Sequence, residues 1–216
     1  MKIECADVFY RYDTPGDGWA LRDISFSLEQ GEKVAVIGHA GSGKTTLIQL
    51  LDALILPEKG DIRYDGQSLL ALSKTKKLFS IRRRIGVLFQ FPEQQFFHET
   101  AYEELTFALR NFFDLSAEEI ERRARDAAER FQLDADMLAQ ISPFHLSSGE
   151  KRKLALASAI ISSPEVLIFD EPTAGMDASG RKAVSYTHLR AHETVLDLVC
   201  RLLLDKKNTL ITLSTT

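Results

Sequence analysis

Residues 34–46 read VAVIGHAGSGKTT, and this stretch decides the fold. Its first four residues form a continuous apolar run, which predicts a strand buried on both faces. A glycine-rich loop follows, and an apolar-periodic helix is predicted over residues 44–55. The pattern G-x-x-x-x-G-K-[ST] binds polyphosphate when it lies between a strand and a helix in this order. The stretch therefore predicts a phosphate-binding loop.

The loop supplies backbone donors and two side chains with separate roles. Its glycines let N–H groups turn inward around a polyphosphate, and the helix start adds about half a positive charge. Lys44 is expected to reach the β and γ phosphates, and Thr45 to bind Mg²⁺. His39 is interpreted as a bystander, and the alternative for the whole loop is a turn with an exposed lysine. The predicted nucleotide-binding residues are Gly38, Gly41, Ser42, Gly43, Lys44, Thr45 and Thr46.

Two further apolar runs, residues 85–89 and 166–169, predict buried strands. The second run ends on Asp170 and Glu171, at the carboxyl edge where open α/β sheets bind ligands. We expect Asp170 to hold the Mg²⁺ shell and Glu171 to polarise the attacking water of a phosphoryl transfer. The alternative is that the two acids cap a helix and enrich its first turn.

The remaining pattern predicts strands first and helices later. Residues 3–12 and 20–28 read as strands, residues 60–66 as a hairpin turn region, and residues 74–84 as a basic surface helix. Strands that alternate with helices imply a parallel α/β core.

Residues 90–162 are predicted to be mainly helical. Ser116 and Glu119 fit a capping box that starts a charged helix ending at Arg130. Residues 150–161 predict a helix of small residues that packs closely. We interpret this helical block as an insertion into the parallel core.

Composition excludes several classes of protein. The 216 residues are 44% hydrophobic and 27% charged, which excludes disordered, collagenous and disulfide-stapled chains. The net charge of −4 disfavours nucleic acid as a partner. Cys5 and Cys200 are expected to be reduced thiols of a cytosolic protein. Because no apolar run approaches the roughly 18 residues of a membrane span, we expect a chain that is neither secreted nor embedded, although it could dock on a membrane protein.

The order of the motifs resembles the ABC ATPase family over nearly the whole chain. A phosphate loop, a glutamine after a strand (Gln90), the pentapeptide LSSGE at residues 146–150 and an apolar run ending in Asp-Glu follow one another. The resemblance implies an α/β fold: a P-loop NTPase (RecA-like) core with an N-terminal antiparallel β part and an inserted α-helical subdomain. It implies one ABC ATPase domain, with its core in residues 1–89 and 163–216 and a helical signature subdomain in residues 90–162.

The resemblance also implies a nucleotide site shared between two subunits. Tyr12 stacks on adenine, Ser147 and Gly149 grip the γ-phosphate bound to the other protomer, and residues 174–177 form the loop that crosses to the partner. The alternative for LSSGE is an ordinary helix start with Ser147 as N-cap. The implied cofactors are ATP and Mg²⁺. The implied catalytic residues are Lys44, Gln90 and Glu171, and the implied Mg²⁺ contacts are Thr45, Gln90 and Asp170.

Residues 89–105, FQFPEQQFFHETAYEEL, resemble the ATPase subunit of energy-coupling factor (ECF) importers for vitamins and metal ions. This implies a peripheral ATPase on the cytoplasmic face of the membrane, paired with a second ABC subunit in a homo- or heterodimer. A transmembrane coupling subunit and a substrate-binding membrane subunit are the implied partners. Phe91, Phe96 and Phe97 suit a groove for a coupling helix, and the alternative is the core of the helical subdomain. A nucleic-acid ABC ATPase is disfavoured, since the long heptad segments of that class are absent from the sequence.

Two positions of LSSGE depart from the LSGGQ pattern: Ser148 replaces a glycine and Glu150 a glutamine. A Cβ at Ser148 is expected to crowd phosphate and weaken closure of the dimer. Residues 209–214 read as the strand before the family's switch histidine, yet Thr215 occupies the histidine position. An alternative function is therefore a nucleotide-binding module with little or no turnover.

The C-terminal segment is atypical for the family. Residues 185–207 are longer than the family usually allows and resemble a recurrent spurious translated tail, so residues 184–216 are interpreted as chimeric or truncated. His188 and His192, at spacing four beside Glu193, make a metal site conceivable. An apolar stripe at helical spacing predicts a helix packed on the sheet. The stripe contains Val195, Leu196, Val199, Leu202 and Leu203.

Overall fold

The computed structural model describes residues 1–13, 18–75, 77–170, 196–200 and 209–212, the last two ranges as backbone only. These residues divide into two compact units. The first unit is Met1–Val87 with Glu165–Thr216, and the second is Leu88–Pro164.

The described strands are β1 (Ile3–Tyr10), β2 (Leu21–Leu28), β3 (Lys33–Ile37), β4 (Lys59–Tyr64), β5 (Gln67–Ser68), β6 (Ile85–Leu88), β7 (Val166–Asp170), β8 (Leu196–Cys200) and β9 (Thr209–Thr212). The described α-helices are α1 (Lys44–Leu51), α2 (Leu69–Lys74), α3 (Phe79–Arg82), α4 (Ala101–Phe112), α5 (Ala117–Arg130), α6 (Ala135–Leu138) and α7 (Ser148–Ile160). Pro92–Gln95 and Pro143–His145 form short 3-10 helices.

An antiparallel sheet in the order β2-β1-β4-β5 lies in the first unit. Its core-facing side chains are fully buried and include Ile3, Val8 and Ile62. At Gly60 the backbone has φ 79°, and an added Cβ would overlap the backbone of the irregular part of β1 around Asp7. Only glycine suits that position.

A parallel sheet in the order β6-β7-β8-β3-β9 forms the rest of this unit. β8 pairs in parallel with both β7 and β3, and β9 pairs in parallel with β3. The predicted α/β class with a parallel core is confirmed. Because parallel strands share one carboxyl edge, the ends of β3 and β7 lie at the same edge, where the phosphate loop follows β3 and Asp170 is the last residue of β7.

Two helix predictions in this unit are wrong in extent. The helix predicted over residues 44–55 ends at Leu51, since Ala53 takes φ 56° and its carbonyl accepts a 2.7 Å hydrogen bond from Arg82 Nη2. The helix predicted over residues 74–84 is instead the C-terminal residue of α2 and, separately, α3. The Thr75 hydroxyl donates to the carbonyls of the preceding turn, which ends α2.

Two other local predictions are wrong in type. Residues 60–64 belong to strand β4, and the hairpin turn is only Asp65-Gly66, both at positive φ. Leu196–Cys200 forms strand β8 and not a helix. Hydrogen-bonded neighbours on both sides of β8 stabilise the strand. The sequence did not indicate it because a short apolar run fits a strand as well as a helix.

The second unit is helical, as the sequence predicts. α4 and α7 each start with a complete capping box, Thr100 with Glu103 and Ser147 with Glu150. Ser116 caps α5 as predicted, but the Glu119 carboxylate binds arginines of its own helix, so the box is only half formed. Buried residues of α4, α5 and α7 form the core, among them Leu105, Leu109, Ala124, Ala128 and Leu154. No helix in the described ranges is long and apolar enough to cross a membrane.

Candidate functional site

The phosphate loop joins the carboxyl end of β3 to the start of α1. Gly43 is the N-cap of α1 with φ 89°, and no side chain caps the helix. A Cβ at Gly43 would overlap the carbonyl oxygen of Ala20 and lie 2.7 Å from Leu21 Cδ2. The first helical hydrogen bond runs from the Leu47 N–H to the Gly43 carbonyl at 2.8 Å. The N–H groups of residues 44–46 therefore have no partner within the helix, an arrangement that suits an anionic ligand.

Ser42 gives a second indication that the loop suits a phosphate ligand. Its side chain is 4% exposed, and its Oγ has no hydrogen-bond partner among the described residues. A buried hydroxyl without a partner costs about 1–3 kcal/mol. A phosphate oxygen in the loop would accept this hydroxyl proton, so the residues fit a bound polyphosphate.

Lys44 carries the positive charge of the loop. Its Nζ donates to the carbonyl oxygens of Gly38 and His39, each at 2.9 Å. These acceptors are neutral, so they hold the ammonium in place without cancelling its charge. His39 is exposed and its Nδ1 lies 3.1 Å from the Ala40 carbonyl oxygen, and its role as a bystander stays a prediction.

Thr45 and Asp170 meet at the carboxyl edge of the parallel sheet. The Thr45 hydroxyl donates to Asp170 Oδ2 at 3.0 Å, and Asp170 is 6% exposed. Hydroxyl and carboxylate oxygens suit Mg²⁺, which takes one or two protein ligands together with substrate phosphates and water. Within the described ranges, no group of three His, Cys, Asp or Glu residues could hold a metal by itself. The pair therefore fits a Mg²⁺ ion that arrives with a nucleotide.

Tyr12 lies beside the first two turns of α1. Its hydroxyl is 3.1 Å from Thr46 Oγ1 and donates to Gln49 Oε1 at 3.0 Å. Its ring meets the ring of Tyr10 edge-on at 5.0 Å and is 44% exposed. The structure thus places Tyr12 beside Thr46 of the phosphate loop, and its contact with adenine stays a prediction. Sequence reasoning missed Gln49, because one glutamine within a helix has no pattern that marks it.

The signature residues lie in the second unit. Ser147 is the N-cap of α7, its Oγ donates to Glu150 Oε2 at 2.6 Å, and its N–H donates to the same oxygen at 2.9 Å. These hydrogen bonds lower the pKa of Glu150, so its carboxylate is charged at neutral pH. Gly149 lies in the first turn, where a Cβ would meet nothing within 4 Å. The capping role is observed, and the phosphate contact of Ser147 and Gly149 stays a prediction.

Gln90 and the neighbouring aromatic residues also belong to the second unit. Gln90 is half-buried two residues after β6. Phe97 is 63% exposed and packs against His98 and Phe107, and Glu104 accepts hydrogen bonds from the N–H groups of Phe97 and His98. Phe96 is 8% exposed and therefore belongs to the core, which is the alternative weighed for it.

Several predicted residues lie outside the described ranges. They are Glu171, residues 174–177, His188, His192, Glu193 and Thr215. The metal site conceived at the histidines stays an untested prediction, as does the water-orienting role of Glu171.

Comparison with known proteins identifies the family. Residues 21–174 match the family described as ABC transporter. The chain is 44% identical over 186 residues to the energy-coupling factor transporter ATP-binding protein EcfA2 of Bacillus licheniformis, an alignment that covers 85% of this chain and 64% of the relative. The chain belongs to the ABC transporter family, and its resemblance to ECF ATP-binding proteins is confirmed. It spans 64% of the length of that relative.

Two solved structures share the fold. One is cbiO1 of Clostridium perfringens, part of the ABC transporter complex cbiONQ, with a TM-score of 0.77, 28% identity, and coverage of 93% of this chain and 78% of that chain. The other is the ATP-binding cassette MJ0796 in a dimeric post-hydrolysis state bound to ADP and Pi. It has a TM-score of 0.79 and 25% identity, and the match covers 93% of this chain and 88% of the other. The predicted P-loop NTPase class is confirmed by these likenesses.

Proposed function

We propose that this chain binds and hydrolyses ATP as a subunit that energises an ECF-type importer for a vitamin or metal ion. The observation that carries the proposal is the phosphate loop, with its unpaired helix amides and the Thr45–Asp170 pair at 3.0 Å. The similarity to EcfA2 proteins supports the choice of importer class.

Each part of the proposed nucleotide site has its own role. The loop amides and Lys44 bind the phosphates, and Thr45, Gln90 and Asp170 hold Mg²⁺, which neutralises charge on the transferred phosphoryl group when bound. Glu171 orients the attacking water. Tyr12 stacks on the base, for which its exposed ring is suited.

We further propose that two ABC subunits close around two nucleotides, in a homo- or heterodimer. Ser147 and Gly149 of one subunit contact the γ-phosphate held by the loop of the other. The dimeric state of the structural relative MJ0796 supports this arrangement. The nucleotide-binding core is assigned to residues 1–89 and 163–216, and the signature subdomain to residues 90–162, with residues 184–216 atypical.

The proposed membrane partners are a coupling subunit and a substrate-binding subunit, reached from the cytoplasmic face. The exposed rings of Phe91 and Phe97 supply apolar surface for a coupling helix. The structural relative cbiO1, which is part of the ABC transporter complex cbiONQ, supports such an assembly.

ATP turnover and dimer formation test the proposal together. Lys44→Ala should lose nucleotide binding, while Glu171→Gln should retain ATP and accumulate closed dimers, because binding persists when water is no longer oriented. Lys77→Ala, an exposed lysine outside the site, serves as the matched control. Unchanged phosphate release in both site variants would refute the assignments.

The presence of threonine at position 215 favours a second candidate, a module that binds nucleotide with little turnover. Phosphate release from the chain and from Thr215→His separates the two. Binding without release in the original chain, with release gained in the variant, would support the second candidate.

A further inference from the structure

We propose that Gln49 is a positioning residue for the nucleotide base, because it fixes the ring of Tyr12 relative to the phosphate loop. The inference rests on the proposed function, since it presupposes that the loop binds a nucleotide. Gln49 would thus strengthen the binding of ligands that carry a base. It lies on α1, the same helix whose first turn forms the proposed phosphate site.

Tyr12 needs such a tether because strand β1 ends two residues earlier, at Tyr10. Strand pairing therefore does not hold its backbone. Its ring is fixed by the edge-on contact with Tyr10 and by two hydrogen bonds of the hydroxyl. The rest of the ring is exposed, which leaves surface on which a base can stack.

The donor and acceptor capacities assign different tasks to Thr46 and Gln49. A tyrosine hydroxyl has a single proton, and Gln49 Oε1 can only accept, so the proton goes to Gln49. The Tyr12 oxygen then accepts from the Thr46 hydroxyl at 3.1 Å. Loss of Gln49 would free the proton of Tyr12 and leave the ring held only by the Thr46 hydroxyl and the edge-on contact with Tyr10.

The helical spacing links the base to the phosphates. Thr46 and Gln49 are three residues apart and lie on the same face of α1. Lys44 and Thr45, in the first turn of the same helix, face the phosphates in the proposed function. A rigid helix therefore sets the separation between ring and phosphate site before the ligand arrives. A pre-organised site loses less free energy to ordering on binding, so Gln49 should favour ligands that carry a base.

Titration with two ligands separates positioning from a structural role. Dissociation constants for Mg²⁺-ATP and for Mg²⁺-tripolyphosphate are measured with the full chain and with Gln49→Ala, Gln49→Glu and Tyr12→Phe. Gln49→Ala should weaken ATP binding about fivefold, the effect of one lost net hydrogen bond. Tripolyphosphate, which has no base, should bind within about twofold of the original chain, since its donors are untouched.

The other variants test the mechanism. Gln49→Glu keeps an acceptor oxygen and should restore ATP affinity. Tyr12→Phe should weaken ATP binding at least as much as Gln49→Ala, because it removes the hydrogen bonds to both Gln49 and Thr46. The double variant should lose no more than Tyr12→Phe alone, because that variant already removes the contact with Gln49. Gln67→Ala, an exposed glutamine of β5, is the control and should bind both ligands normally.

The outcomes are distinguishable. If Gln49→Ala weakens the binding of ATP and of tripolyphosphate equally and also lowers the unfolding temperature, Gln49 has a structural role and the inference is overturned. Unchanged ATP affinity in Gln49→Ala would also overturn it, while leaving the proposed function standing. Failure of the original folded chain to bind either ligand would overturn both.

Discussion

Replacement of Asp52 by asparagine is expected to stabilise the protein in a strongly pH-dependent way. Asp52 is the half-buried C-cap of α1, and its carboxyl group accepts no hydrogen bond from the described residues. Burial raises its pKa from 3.8 to about 7, although the nearby Arg82 acts to lower it. The folded chain therefore favours the neutral acid.

The stability of the protein should fall as pH rises, because the folded and unfolded chains bind the Asp52 proton with different affinities. Between pH 3.8 and about 7 the folded chain keeps a proton that the unfolded chain releases. The stability associated with this proton is full below pH 3.8 and is lost as pH rises through about 7. At about 1.4 kcal/mol per pKa unit, the total loss is about 4 kcal/mol. Asparagine is a neutral isostere of the protonated acid and avoids this loss.

Urea unfolding at pH 5 and pH 8 measures the effect. The free energy of unfolding of Asp52→Asn minus that of the original chain should grow by about 3 kcal/mol between these two pH values, which is the part of the loss that falls in this window. Asp23→Asn, at an exposed position, is the control and should show a constant difference. A difference for Asp52→Asn that is equal at both pH values would refute the reasoning.

Two further predictions concern the proposed nucleotide site. Gly43→Ala should destabilise the chain by about 1–3 kcal/mol and abolish ATP binding, because a Cβ there overlaps Ala20 and the residue needs φ 89°. Urea unfolding and nucleotide titration measure these two effects. Gly18→Ala is the control, since a Cβ at Gly18 meets no neighbour. Glu150→Gln should strengthen ATP-dependent dimerisation severalfold, because it removes a charge beside Ser147 while glutamine still completes the capping box. Sedimentation with ATP measures the dimer, and unchanged or weaker association would contradict that prediction.

The phosphate loop and the strands β3, β6 and β7 could be predicted from the sequence because they have local patterns. Residues 34–37 form an unbroken apolar run, and the glycines of the loop are spaced as the backbone requires. Strand β8 could not be predicted, because its ladder partners β3 and β7 are distant in sequence and its apolar spacing also fits a helix.

The contact between Gln49 and Tyr12 and the half-buried carboxyl group of Asp52 could not be predicted from the sequence for a similar reason. The contact of Gln49 depends on the tertiary fold, which brings the residues after β1 next to α1. There the Tyr12 hydroxyl donates to Gln49 Oε1 at 3.0 Å. Asp52 lies at the end of a helix that stops where the Ala53 backbone takes φ 56°, and no sequence pattern indicates that conformation. The Ser147 cap, in contrast, follows from the spacing of a serine and a glutamate three residues apart.

Calorimetric titration of the folded chain with Mg²⁺-ATP tests the central claim most directly, namely that the amides of the loop and the Thr45–Asp170 pair form a site for a magnesium triphosphate. The account predicts a saturable heat with one nucleotide per chain, which disappears in Lys44→Ala. Absence of heat with the original chain, when circular dichroism shows that it is folded, would contradict the claim.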